Sequence, residues 1–355
     1  MVGISLLTLV PRLSGGSETY ARELVQALAK VGRLEYRVFA PSIAPDASDG
    51  LAGTTVSSYA ASRTMPGRLR AMALASAFPG RIRHELEPSR LKALHFPLTI
   101  AIPRGSGVPA ATSILDLQHE LYPRLFSRSE RAYRRIAYGA AVRESRVVIA
   151  ISEHVKETIV ERLGVDAGRV RAIHLGIDLD RLRPGEGTRE PFLLYPANGW
   201  PHKNHARLLE AFVLLRRERP DLRLVLTGSG LEKLSPGEAV EIRGHVPRDE
   251  LVELYRTAEA LVFPSLYEGF GLPPLEAMAC GCPVAVSRVG ALPEICGDAA
   301  RYFDPAEPEE IAAVTLEVLA APGELVERGL ARAQGFTWDE CARRHDEVYE
   351  ELGAA

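Results

Sequence analysis

The sequence predicts an α/β protein built of two doubly wound, parallel-sheet domains facing a shared cleft. Strand-like and helix-like segments alternate through both halves of the chain. Between the halves lies Arg181 to Glu190, a charged, Pro/Gly-rich stretch without apolar period that reads as a linker. The length of 355 residues suffices for two ordinary cores, expected over 1–182 and 190–335. Apolar content of 46% and a charged fraction of 25% are globular values, and no short-period repeat is present.

The first half opens with a strand over Val2 to Val10, the loop P-R-L-S-G-G-S-E-T, and a helix over Ser17 to Val31. Tyr20, Leu24, Ala27, Leu28 and Val31 share one helix face, and Gly32 is a natural C-cap. Gly15 and Gly16 allow a ligand to approach the backbone, although a lone Gly-Gly suits an ordinary turn equally well. Glu35 to Ala40 reads as the second strand, and Pro41 to Thr64 as loops around minor strands. A helix follows over Arg68 to Leu86, with a break expected at Pro79-Gly80. Ala93 to Pro97 is a short strand containing His95, taken as a packing histidine at the strand end. Ala110 to Leu115 is a strand running into Asp116 and His119, where crevice chemistry sits in such sheets. Ser127 to Ser145 is a basic helix with Arg128, Arg131, Arg134 and Arg135 largely on one side, suited to a membrane surface, a charged acceptor or plain solvent. Arg146 to Ala150 is a strand, Ser152 caps a helix reaching Leu163, and Val170 to Leu175 is the last strand, with His174 expected to be buried.

In the second half, strands are expected at Phe192–Pro196, Leu222–Leu226, Val240–Arg243, Ala260–Phe263, Pro283–Ser287 and Ala299–Phe303. Helices are expected at Ala206–Glu218, Asp249–Thr257, Pro308–Leu319, Pro322–Gln334 and Trp338–Leu352. The strand at Ala260 delivers S-L-Y-E-G-F-G-L-P-P-L-E, a Gly-rich turn leading to a helix at Glu276. Strand, Gly-rich loop, helix leaves backbone N–H groups and a helix N-terminus for a phosphate. The flanking Glu268 and Glu276 would repel a diphosphate and suit hydroxyls, such as those of a sugar and a ribose. The loop therefore reads as a nucleotide-sugar clamp.

Net charge is −3, but residues 60–146 hold 15 lysines and arginines against 6 carboxylates, a balance suited to an anionic partner. Cys280, Cys282, Cys296 and Cys341 lack zinc-knuckle spacing and read as buried thiols in a reducing compartment. The apolar start has no basic n-region or cleavage site and reads as a first strand, not a signal peptide. No apolar run approaches the roughly 20 residues of a membrane helix. The expected location is the cytoplasm, or the inner face of a membrane.

The motifs S-G-G-S-E-T, D-L-Q-H-E-x-x-P, H-K-N, T-G-S-G, F-P-S-L-Y-E-G-F-G-L-P-P-L-E-A-M-A-C-G-C-P-V and V-G-A-L-P-E, spanning Gly15 to Phe303, resemble family 4 of the retaining nucleotide-sugar glycosyltransferases. That resemblance implies the GT-B fold of two Rossmann-like domains, the first binding acceptor and the second the nucleotide sugar. It also implies that the C-terminal helix, 336–355, packs back on the first domain, with Trp338 and Tyr349 bulky enough to anchor it. The implied reaction is metal-independent transfer on one face of the sugar, with no protein nucleophile and no cofactor beyond the donor. It relies on charge stabilisation of the leaving diphosphate and tight positioning. Lys203 matches the phosphate-binding lysine, Glu268 the group on donor-sugar hydroxyls, and Glu276 the group on the ribose. Gly16 would meet diphosphate or acceptor. Gly228, His245 and Val246 would line base and ribose, and Gly269, Phe270, Gly271, Leu272 and Leu275 complete the clamp, with N–H groups at Leu272 and Leu275.

The chain departs from the family pattern twice. The arginine expected before Lys203 is absent, leaving Asn198, His202 or a first-domain group to replace it. Leu115 precedes Asp116 where relatives carry a histidine, and His119 either serves instead or is a structural loop residue. The donor sugar stays open, with mannose slightly favoured by the likeness of D-L-Q-H-E and P-H-K-N-H to polysaccharide mannosyl- and rhamnosyltransferases. The acceptor is a glycan, lipid-linked or glycoside hydroxyl, with peripheral membrane contact through the basic first domain and no nucleic-acid partner. The rival readings are a sugar-nucleotide-binding protein and an epimerase or hydrolase of such nucleotides.

Overall fold

The computed structural model describes residues 1–11, 15–86 and 90–354. It divides into two compact units, Met1–Gly176 with Trp338–Ala355, and Ile177–Thr337. The N-terminal unit holds β1 (Val2–Ser5), α1 (Gly16–Val31), β2 (Tyr36–Pro41), β3 (Ala52–Val56), α2 (Met65–Ala77), α3 (Pro79–Leu86), β4 (Ala93–Phe96), β5 (Ala110–Ile114), α4 (Gln118–Leu121), α5 (Arg128–Glu144), β6 (Val147–Ala150), α6 (Glu153–Leu163) and β7 (Val170–Ala172). The C-terminal unit holds β8 (Glu190–Pro196), α7 (His205–Glu218), β9 (Arg223–Thr227), β10 (Val240–Gly244), α8 (Arg248–Thr257), β11 (Ala258–Phe263), α9 (Leu272–Ala279), β12 (Val284–Ser287), α10 (Leu292–Cys296), β13 (Ala300–Phe303), α11 (Pro308–Ala320) and α12 (Pro322–Ala333). The last helix, α13 (Trp338–Glu351), belongs to the N-terminal unit.

Both sheets are parallel. The first runs β3-β2-β1-β4-β5-β6-β7 and the second β10-β9-β8-β11-β12-β13. Strands β1, β4, β6 and β12 are buried along their whole length, as expected where helices cover both faces of a parallel sheet. Strand order reverses between β1 and β4 in one sheet and between β8 and β11 in the other. Loops that leave neighbouring strands at such a reversal diverge and open a ligand crevice. Helix starts follow local chemistry. Thr64, Ser127 and Ser152 accept from the N–H groups of Gly67, Glu130 and Val155.

Several expected boundaries move. The first strand ends at Ser5 because the chain turns at Leu6, whose carbonyl accepts from Leu9 N at 2.8 Å. The expected helix over Arg68 to Leu86 is two helices: α2 ends at Ala77 with Phe78 as its C-cap, and Pro79, which lacks an N–H, begins α3. The strand after α6 stops at Ala172, and His174, expected to be buried, is exposed beyond it. V-G-A-L-P-E contributes a short helix, α10, that the apolar pattern does not announce. Residues 177–182, expected with the first domain, sit in the second unit. Ile177 N donates to Phe336 O at 3.0 Å, Ile177 pairs with Thr337 in a parallel bridge, and Arg256 on α8 holds the carbonyls of Arg181 and Arg183. Ser14 of the S-G-G-S-E-T motif lies outside the described residues. Among the described residues no helix is long and apolar enough to cross a membrane.

The return of α13 rests on a buried polar chain. His345 Nδ1 lies 2.7 Å from the Cys341 carbonyl, which can only accept, so that nitrogen carries the proton. Its Nε2 then accepts from Tyr20 O–H at 2.9 Å. Tyr20 accepts from Ser113 at 2.7 Å, Ser113 accepts from His95 Nε2 at 2.8 Å, and His95 Nδ1 accepts from Tyr349 O–H at 2.8 Å. One carbonyl thus sets the direction of every proton between α13, α1, β4 and β5. Trp338 packs near Tyr20, with ring centroids 6.5 Å apart, and Tyr36 donates to Asp346. Burial presses His95 well below the ordinary imidazole range, with His345 adding to the push, and brings His345 down to about 4.

Tyr349→Phe removes the last donor and leaves His95 Nδ1 buried without one. Urea denaturation should show a loss of about 1–3 kcal/mol. Unfolded imidazoles titrate near ~6.5, so the neutral pair favours the fold. Its contribution is complete above that pH and is lost as the pH falls toward the folded value of about 4 for His345. Denaturation midpoints followed through this window should decline with acid. The decline should flatten when His95 and His345 are both replaced by Phe.

Candidate active site

Two loops meet beside the strand reversal of the C-terminal sheet. One follows β8 and runs Ala197-Asn198-Gly199-Trp200 into a short 3₁₀ turn, Pro201–Lys203, before α7. The other follows β11 and carries Ser265 to Gly271 into α9. Asn204 ties them together. It sits in the left-handed conformation at φ 60°, buried, and its Nδ2 donates to Pro264 O at 3.1 Å and to Pro305 O at 2.8 Å. Leu266 N donates to His202 O at 2.7 Å, and Tyr195 O–H donates to Lys203 O at 2.6 Å.

On this frame Lys203 Nζ lies 2.5 Å from Glu268 Oε1, with both side chains largely buried, and 5.5 Å from the centre of the Phe263 ring. A cation suited to phosphate and a carboxylate suited to hydroxyls therefore reach one point. Glu276, on the first turns of α9, is buried and doubly held. Arg248 Nη2 donates to Oε1 at 2.7 Å and Tyr255 O–H to Oε2 at 2.9 Å. Burial, with Glu276 adding to it, lifts the Tyr255 hydroxyl well above the usual phenol range, so it stays a donor.

The N-terminus of α9 offers less than its sequence suggests. Pro273 and Pro274 have no N–H, and Leu275 N turns back to Gly271 O at 3.4 Å. Among the described residues Leu272 is the first-turn donor left over. The Leu275 side chain is fully buried and Phe270 packs edge-on to Phe336 at 6.0 Å, so these two serve the core. Gly271, at φ 112°, and Gly290, at φ 57°, permit close packing. A Cβ on Gly290 would lie 2.3 Å from Glu268 O. Gly228 has a similar role: its missing Cβ position lies 2.5 Å from Ala197 O. His245 is exposed and Val246 half-buried at the end of β10, while Gly269 is half-buried.

Neither expected substitute for the missing arginine supplies charge. Asn198 Oδ1 accepts from Ser229 N at 2.8 Å, which holds the loops after β8 and β9 together. Burial, then the Lys203 charge, depresses His202 to about 3, so it is neutral at ordinary pH.

In the N-terminal unit Gly16 opens α1 with open space around it, and Gly15 is its N-cap at φ 49°. Asp116, half-buried, accepts from Gln118 N at 3.1 Å. His119 is wholly buried in α4, edge-on to Tyr138 at 5.0 Å, and neither ring nitrogen has a hydrogen-bond partner among the described residues. Burial and then the Arg134 charge lower its pKa. The basic face of α5 is partly neutralised. Arg134 pairs with Glu130 at 3.2 Å and Arg135 with Glu120 at 2.6 Å. All four cysteines are buried free thiols, pushed by burial up to about 12 at Cys280, Cys282 and Cys296. No cluster of three potential metal ligands occurs among the described residues.

Comparison with known proteins places both units. The description "Glycosyltransferase Family 4" matches residues 14–181 and "Glycosyl transferases group 1" matches residues 177–333. The O-antigen chain mannosyltransferase B of Escherichia coli is 31% identical over 268 residues, 68% of this chain and 70% of that protein. The chain belongs to the family 4 glycosyltransferases, enzymes of GT-B type. A second relative, the MMP alpha-(1->4)-mannosyltransferase of Mycolicibacterium hassiacum, is 33% identical over 235 residues, 60% of this chain and 57% of that one. The Anabaena Alr3699/HepE structure in complex with UDP and glucose shares the fold, with a TM-score of 0.73 over 99% of both chains at 17% identity.

Sequence reasoning about this glycosyltransferase missed Arg248, Tyr255 and Asn204. The first two had a discoverable signal, since a carboxylate on a helix as apolar as L-P-P-L-E-A-M-A must be paired when buried. Arg248→Met leaves Glu276 with Tyr255 alone among its present donors. It should lower stability by about 1–3 kcal/mol in urea denaturation. Tyr255→Phe should lower it by about 1 kcal/mol.

Proposed function

We propose that the C-terminal unit binds a nucleoside-diphosphate sugar and that the enzyme transfers its hexose or deoxyhexose, with mannose favoured, to a hydroxyl of a glycan, glycolipid or glycoside held by the N-terminal unit. The observation that carries the reading is the 2.5 Å pairing of Lys203 with Glu268. In a sugar diphosphate the anomeric carbon is one oxygen away from phosphorus. A site for that junction needs a cation and a hydroxyl-binding carboxylate at one point. Mannose is favoured because two relatives are named as mannosyltransferases. A neighbour of the same fold is titled as a complex with UDP and glucose.

In the proposed reaction Lys203 and the Leu272 N–H stabilise charge on the leaving diphosphate, without a metal ion or cofactor. Glu268 holds sugar hydroxyls and Glu276, oriented by Arg248 and Tyr255, holds the ribose. The bond from C1 to the phosphate oxygen breaks while the acceptor oxygen bonds to C1 on the same face. The acceptor proton passes to the leaving oxygen, and configuration is retained. Asp116, half-buried after β5, is the polar group proposed to orient the acceptor, with His119 buried in the following helix. The basic N-terminal unit favours an anionic acceptor, lipid-linked or phosphorylated. The proposed location is the cytoplasm, at the inner membrane face for a lipid-linked acceptor.

Thermal unfolding with GDP, UDP and dTDP tests the donor assignment. One nucleotide at roughly 100 times its dissociation constant should stabilise the protein by about 2.7 kcal/mol. Lys203→Ala and Glu276→Ala should each reduce that gain. Absence of stabilisation by all three nucleotides would count against the clamp.

A further inference from the structure

Among the described residues of the C-terminal unit, two large apolar side chains stand in solvent: Val213 on α7, and Trp200, 49% exposed, on the loop after β8. Trp200 lies at the carboxyl end of a strand beside the sheet reversal, where ligands of such sheets bind. An indole is among the largest apolar surfaces a side chain can bury, yet half of this one is left in water.

The backbone fixes it there from both sides. Gly199 N donates to Ser229 O at 2.8 Å, and a Cβ on Gly199 would lie 2.1 Å from Gly230 O. Beyond the indole, Trp200 O accepts from Lys203 N at 2.9 Å across the Pro201–Lys203 turn, and His202 O accepts from Leu266 N at 2.7 Å. A flat ligand stacking on this indole therefore costs little ordering entropy. The His202 ring stands beside it, with centroids 5.6 Å and planes 33° apart. That imidazole is neutral at ordinary pH, so one ring nitrogen donates and the other accepts. Residues 196–207 contain no carboxylate.

A flat apolar face next to a neutral donor and acceptor matches a sugar ring, which has C–H groups on its face and hydroxyls at its rim. A cation would need a carboxylate nearby and would meet Lys203 instead. A protein partner would need more apolar surface around the indole than this unit exposes. A nucleobase is also flat, but the His202 backbone is tied to the loop after β11, on the Lys203–Glu268 side and away from β9 and β10.

We propose that Trp200 and His202 form a platform for the pyranose ring of a substrate, the indole stacking on its C–H face and the imidazole hydrogen-bonding a hydroxyl. Donor and acceptor can each bring such a ring, and the experiment below separates them. The inference rests on the sugar-transfer reading above and adds a specificity-determining pair to it.

The chain has two tryptophans, Trp200 and the buried Trp338, so the difference in emission between the parent protein and Trp200→Phe reports on Trp200 alone. The full chain is titrated with GDP, UDP and dTDP, then with GDP-mannose, UDP-glucose, UDP-galactose and dTDP-rhamnose, and then, with nucleotide present, with the methyl glycosides of the same sugars. At least one sugar-bearing probe should shift the parent emission to the blue. Its nucleotide alone should not, and Trp200→Phe should show no shift. A response to a nucleotide sugar assigns the platform to the donor, and a response to a methyl glycoside assigns it to the acceptor. By calorimetry the responding probe should bind about tenfold more weakly to Trp200→Ala, while Trp200→Phe stays within about threefold of the parent. His202→Phe, which keeps a ring beside the indole but no nitrogen, should weaken binding by about fivefold. The thermal midpoint of free Trp200→Ala and its stabilisation by nucleotide should stay as in the parent. A shift produced in full by nucleotide alone, or parent-like affinity in Trp200→Ala, would overturn the platform. So would the absence of a shift with every sugar-bearing probe; nucleotide stabilisation that persists in that case leaves the donor assignment standing, and its loss removes both.

Discussion

A single buried amide holds the C-terminal unit of this enzyme in register. Asn204 places both of its Nδ2 protons on the carbonyls of Pro264 and Pro305. It thereby clamps the turn after β8 to the chain leaving β11 and to the segment after β13. An amide with two donors on two carbonyls has no slack, and its left-handed backbone turns the chain from the Lys203 turn straight into α7. Both members of the Lys203–Glu268 pair hang from that joint. Lys203 is the residue before it, and Glu268 comes from the loop it holds.

Two carboxylates stand at the ends of the Gly-rich loop without facing each other as bare charges. Each already has a cation: Lys203 for Glu268 and Arg248 for Glu276. The site is electrically compensated, so the diphosphate proposed to bind there would meet paired charges and not two bare anions. Compensation also fixes direction. Glu276 accepts from Arg248 on one oxygen and Tyr255 on the other, which leaves its remaining lone pairs as the positions where ribose hydroxyls would donate. Uncharged His202 beside Lys203 adds shape without charge.

In the N-terminal unit a different kind of joint acts over the whole length of the chain. Tyr20 and His345 are 325 residues apart, yet one hydrogen bond joins them, and Tyr349 reaches His95 across 254. Proton order along this chain is fixed at one end by the Cys341 carbonyl. The histidine that looked like a packing residue at a strand end, His95, is one link in the attachment of the last helix.

The sequence by itself determined the two alternating β/α halves, the Gly-rich turn between Ser265 and Glu276 that leads into a helix, and the match of Lys203 and Glu268 to a family pattern. These are local: they depend on spacing, on glycine and proline chemistry, and on periodicity within a few turns of chain. The tertiary structure decided what depends on which atoms meet. It showed that Leu275 and Phe270 face the core, that Gly228 and Gly290 are glycines because another backbone occupies the Cβ position, and that His119 is buried. It also showed that Arg248 and Tyr255 complete Glu276, and that residues 177–182 go with the second unit because Ile177 bonds Phe336. Helix α2 makes the distinction plainest. Its sequence is apolar nearly all round, and only the packing of Ala71 and Ala75 inward leaves Leu69 and Leu74 in solvent. Which face of such a helix is buried is set by the volume left for it against the sheet, a quantity that no window of sequence contains.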